Sequence, residues 1–122
     1  MSRLILEAII DSNPTYLTFS QVKEYLIEIE NKLSDDFYIT IESNEYRIIS
    51  DNAIWDIYVE EIQRTVEDCY DLKIPDFVAV DWEETANNCL VDGYGHTFAS
   101  YDGEEIETKS KDGDYYHIFR TN

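Results

Sequence analysis

The sequence is short of positive charge, of cysteine and of long apolar runs, and each shortage removes a class of protein. Only nine of its 122 residues are Lys or Arg, against twenty-seven Asp and Glu. So few cations argue against nucleic acid as a direct partner, because phosphates repel carboxylates. No uninterrupted apolar stretch approaches the ~18 residues of a membrane span, so no membrane partner is expected. The run Leu4-Ile5-Leu6 is broken at Glu7 before Ala8-Ile9-Ile10, which spoils a signal-peptide reading. The expected location is the cytoplasm.

Cys69 and Cys89 are too few for a disulfide framework and read as a pair of half-buried thiols. Together with His96 and His117 they lack the close pairing that structural zinc sites use. A nucleophile set of Cys89, His96 and Asp92 is equally unsupported, since a core thiol is the commoner role. The three Asp-Gly pairs, at 92–93, 102–103 and 112–113, lack the Asp-x-Asp-x-Asp-Gly calcium loop and stay as turns. No metal, cofactor or catalytic residue is expected. Repeats and low-complexity tracts are missing as well.

What the chain does have is a core and a large negative surplus. Its 43% hydrophobic and 14% aromatic content suits one folded domain. The formal net charge is −18, well past the magnitude of roughly 2 to 8 that solubility asks of a small domain. Such a surplus destabilises a compact state by self-repulsion, and contact with a basic surface relieves it. The bland alternative is that the acidity only keeps the protein soluble.

Residues 3–11 are compatible with a short helix, stopped by Ser12-Asn13-Pro14. Thr18 with Gln21 forms a capping-box pattern for a helix to about Leu33, with Phe19, Val22, Leu26, Ile29 and Leu33 at helical spacing. Residues 37–50 read as a hairpin around Glu42-Ser43-Asn44-Glu45. Asp51 should cap a long helix to about Tyr70, with Ile54, Tyr58, Ile62, Val66 and Cys69 inward and Asp56, Glu60, Gln63 and Glu67 outward. Asp81 should cap a further helix, Trp82 to Leu90. Beyond it, Thr97–Tyr101, Glu104–Thr108 and Tyr115–Phe119 read as strands. His96 and His117 read as ordinary strand or loop residues, and the two Trp and ten Tyr mainly as core. The class is α+β, one small domain with an antiparallel sheet and two to four helices on one face.

The candidate site is a distributed carboxylate surface. Residues four apart on a helix rise by about 6 Å, so Asp56, Glu60 and Glu67 form a row with roughly phosphate-like separation. Duplex DNA carries a charge every ~1.7 Å of axis, so a surplus of this size matches roughly 30 Å of duplex. Asp68, Asp71, Asp81, Glu83 and Glu84 complete the partner-binding set, with Asp76 and Asp92 as further acids that could join it. Asp76 with Glu107 and Lys109 also has the order of a metal-dependent nuclease core, a weak pattern in so acidic a chain.

The segment from Pro75 through Val80-Asp81-Trp82-Glu83, Ala86 and Leu90, with Tyr116 to Phe119 as a closing strand, resembles the end segment of the ArdA antirestriction family. The likeness covers about a third of the chain, and ArdA proteins are longer and built of several small domains. Asp92-Gly93-Tyr94-Gly95-His96 through Tyr101-Asp102-Gly103 is similar to small phage-encoded proteins. The resemblance implies a DNA mimic that fills the DNA groove of a restriction–modification enzyme. The expected partner is thus a basic DNA-binding host protein or complex, a CRISPR-type complex included, and a homodimer is compatible. An acidic immunity protein that plugs a basic toxin nuclease would have the same composition.

Overall fold

The computed structural model describes residues 1–70, 80–90, 93–109 and 113–122. Its elements in chain order are α1 (Ser2–Ser12), α2 (Phe19–Lys32), β1 (Asp36–Ile41), β2 (Asn44–Ser50), α3 (Asp51–Tyr70), α4 (Trp82–Cys89), a single helical turn α5 (Gly95–Phe98), β3 (Glu105–Lys109) and β4 (Tyr115–Arg120). The strands form one antiparallel sheet in the order β1-β2-β4-β3. The class is α+β. No helix among the described residues is long and apolar enough to cross a membrane.

Local chemistry explains the helix starts. Thr18 and Gln21 bond reciprocally, the Thr18 hydroxyl accepting from the Gln21 amide at 3.2 Å and the Gln21 side chain from the Thr18 amide at 2.8 Å. That satisfies two donors that the first turn of a helix otherwise leaves orphaned. Asp81 caps α4 in the expected way, its carboxylate accepting from the Glu84 amide at 3.0 Å.

The β1–β2 turn is tighter than the four polar residues suggested. Only Glu42 and Ser43 form it, at φ of +47° and +76°, while Asn44 and Glu45 already belong to β2. Left-handed backbone at both positions is the two-residue hairpin geometry that matches strand twist. Neither residue is glycine, and the turn is tied to α2 instead, where Tyr25 and Gln21 donate to the Glu42 carboxylate at 3.0 and 3.1 Å.

The helices cover both faces of the sheet, not one. Ile5, Leu6 and Ile9 of α1 and Ile29 of α2 bury Phe37, Ile39, Ile41, Tyr46, Ile48 and Ile118 on the first face. Ile54 and Tyr58 of α3, Ala86 of α4 and Phe98 of α5 bury Ile49 and Phe119 on the second. Adjacent strand residues point to opposite faces, so the neighbours Ile48 and Ile49, and Ile118 and Phe119, serve different layers. Each of these four is fully buried, a contribution of about 1.5–3 kcal/mol apiece.

Five further expectations change. Thr97–Tyr101 is not a strand: its start falls in the turn α5, whose Phe98 ring packs 5.2 Å from that of Phe119. The Arg47 guanidinium lies 5.0 Å from the Phe98 centroid and grips Asp36 with two bonds of 2.9 and 2.7 Å, pinning the turn to the sheet. Phe19 is exposed despite its helical spacing, and among the described tyrosines only Tyr46 and Tyr58 are buried. Cys89, expected as a half-buried thiol, is an exposed free thiol. Both tryptophans are half-buried rather than core.

Gly95 sits where the chain crosses itself. A Cβ there would overlap the carbonyl oxygen of Gly103 and approach its carbon to 2.9 Å. Gly95→Ala should therefore cost about 1–3 kcal/mol, read as a lower urea midpoint at unchanged slope. An unchanged midpoint would contradict this close approach.

Candidate functional site

The two helical layers carry very different charge. The α3–α4 layer with its cap bears Asp51, Asp56, Glu60, Glu61, Glu67, Asp68, Asp81, Glu83 and Glu84 against the single cation Arg64. The α1–α2 layer bears Glu7, Asp11, Glu24, Glu28 and Glu30 against Arg3, Lys23 and Lys32. Arg64 is itself committed to Glu61 at 3.1 Å.

Seven of the eight carboxylates singled out from the sequence lie on the acidic layer and are exposed, namely Asp56, Glu60, Glu67, Asp68, Asp81, Glu83 and Glu84. Asp71, like Asp76 and Asp92, lies outside the described residues. Among the described residues none of Asp56, Glu60, Asp68, Glu83 or Glu84 has an ion-pair partner. Glu67 accepts a bond from Gln63 at 3.1 Å, and these two line a shallow depression with Glu60 and Arg64. Asp81, Glu83 and Glu84 also have a folding role, since acids in a first helical turn face the positive end of the helix dipole. α3 and α4 pack against each other, so their acids belong to one layer.

A second constellation was not visible as such in the sequence. His117, read there as an ordinary strand residue, is buried at 5% exposure with a carboxylate against each ring nitrogen. Nε2 faces Asp51 at 2.9 Å and Nδ1 faces Glu105. Asp51, expected as a helix cap, opens the first turn of α3 and is held by this imidazole. Glu105-Ile106-Glu107 lies in β3, an edge strand of the sheet. Glu107 stands directly across from His117 in the β3–β4 ladder and accepts the Tyr115 hydroxyl, which pushes the Tyr115 pKa up to about 12. A signal existed: a histidine inside Tyr115-Tyr116-His117-Ile118-Phe119 must find polar partners if that strand is central, and Glu105 on the neighbouring strand supplies one of the two.

An imidazole that faces acceptors on both sides donates from both nitrogens only when it is protonated. Burial opposes that charge, but the hydrogen bonds and attraction of Glu105 and Asp51 outweigh it, so the His117 pKa lies above the ordinary 6.5.

No protein-family model matches the sequence, and neither the curated proteins nor the solved structures offer a match.

A raised folded-state pKa contributes stability that is complete below the unfolded value, about 6.5, and is lost as pH rises through the folded one. The stability difference between the wild type and His117→Gln should therefore shrink as pH rises from about 6.5 through the raised folded-state value, measured by urea unfolding. A difference that stays constant or grows would contradict the doubly bonded imidazolium.

Proposed function

We propose that this protein is a phage or mobile-element antidefence factor that acts in the host cytoplasm as a DNA mimic. Its α3–α4 layer occupies the basic DNA channel of a restriction–modification or CRISPR-type complex. The observation that carries this reading is the segregation of charge, with carboxylates crowded on one helical layer and largely offset on the other. Asp56, Glu60 and Glu67 stand for successive phosphates along α3, and Glu83 and Glu84 extend the surface onto α4. Like charges held this close repel one another, and a channel lined with Lys and Arg relieves that repulsion while steering association. The likeness of Val80-Asp81-Trp82-Glu83, Ala86 and Leu90 to the ArdA end segment agrees with the same role. Binding, not catalysis, is the activity.

The test compares two triple reversals of equal charge. Asp56→Lys, Glu60→Lys and Glu67→Lys should leave thermal unfolding cooperative and weaken capture of the host complex by about tenfold or more. Asp11→Lys, Glu24→Lys and Glu30→Lys, exposed on the opposite layer, should weaken it by less than about threefold. Captured complex should be released by salt and by added duplex. Equal losses in the two variants would reduce the effect to net charge, and a captured protein that is neither basic nor DNA-binding would remove the mimicry. Capture of a toxin nuclease would reassign the surface to an immunity role.

A further inference from the structure

We propose that Glu105, Glu107 and His117 form a binding site for a divalent first-row transition cation, with Zn²⁺ or Mn²⁺ held on Nδ1 of His117. The site lies at the β3 edge, does not include Asp56, Glu60, Glu67, Glu83 or Glu84, and does not depend on the DNA-mimic reading.

Strand geometry assembles the donors. Glu105 and Glu107 are two apart on β3 and so project from the same face, and Glu107 pairs across the ladder with His117. A carboxylate oxygen from each glutamate and a ring nitrogen of His117 lie within 4.8 Å of one another. Ligands at about 2.0–2.2 Å from zinc stand at most about 4.4 Å apart, so the three donors already span close to one coordination sphere. Small side-chain rotations complete it.

The surroundings of these donors are those of a metal site rather than of an acidic patch. A ligating histidine usually gives its other N–H to a carboxylate, which fixes the tautomer and aims the ring. Here Nε2 stands 2.9 Å from Asp51, leaving Nδ1 on the side of Glu105. Tyr115 donates to Glu107 and fixes that carboxylate in turn. Among the described residues three carboxylates surround one buried imidazole, and a dication on Nδ1 offsets more of their charge than a single proton does. The imidazole favours zinc over the all-oxygen preference of Mg²⁺ and Ca²⁺, and the two carboxylates are ligands that Mn²⁺ also accepts. A cleft of about 380 Å³ lined by Asp51, Glu107, Gly113, Tyr115 and His117 gives the ion entry and room for water.

The full chain, stripped with chelator, is titrated calorimetrically with Zn²⁺, Mn²⁺ and Mg²⁺. The expected result is one strong site for Zn²⁺ or Mn²⁺ above a weak background shared by all three. Glu107 is exposed, so Glu107→Gln should fold normally, and it should lower that affinity by about tenfold or more. Asp51→Asn, a positioning change, should lower it by about 10- to 100-fold. The surface control Glu60→Gln with Glu67→Gln should stay within about twofold. Nitrogen NMR of the His117 ring should place the metal on Nδ1. Weak uptake that Glu107→Gln and the control reduce alike would overturn the site, as would a metal on Nε2.

Discussion

Burial of the β2–β4 pair on both faces is the constraint from which the rest of the structure follows. Ile48 and Ile49 on β2, and Ile118 and Phe119 on β4, are all fully buried, and successive strand residues look to opposite sides. One helical layer cannot cover them. α1 and α2 must close one face while α3, α4 and α5 close the other. The outer surfaces of the two layers thereby point away from each other, and a chain with so much negative charge can place it unevenly between them.

That unevenness follows from the fold. Self-repulsion among unpaired carboxylates costs stability, and the protein tolerates it on the layer where Arg64 is the only cation of α3 and α4. The same packing creates the cluster around the buried His117. Covering the second face brings Asp51, at the start of α3, over β4, and pairing β3 at the sheet edge brings Glu105 and Glu107 beside it. A histidine so placed requires its carboxylates, because a buried polar ring without partners is costly. The exposed layer thus leaves its carboxylates in solvent, whereas the cluster sets carboxylates against a buried imidazole.

Much of the fold was legible where local chemistry decides. The Thr18–Gln21 box, the Asp81 cap and the alternation of Phe37, Ile39 and Ile41 each specify their element within a few residues. The two-sided cover was legible only in retrospect. β1, an edge strand, alternates, whereas Arg47-Ile48-Ile49 and His117-Ile118-Phe119 do not, and that loss of alternation is how a strand covered on both faces reads. Thr97–Tyr101 has strand-forming residues, but Gly95 packed against Gly103 turns the chain before a ladder forms, a tertiary effect without a local signature. The exposed acids of α3 followed from helical period alone. Their sparing by cations, and the meeting of Asp51 with His117 across 66 residues, depend on layer assignment and could not be read from spacing.

The charge asymmetry can be measured on the isolated protein. Paramagnetic cosolutes that differ only in charge report the near-surface potential at each backbone amide by NMR. The account predicts that a cationic probe concentrates at amides around Asp56, Glu60, Glu67 and Glu83 well above its level around Glu24 and Glu30, with the difference shrinking as salt rises. Equal enhancement over both layers would contradict it.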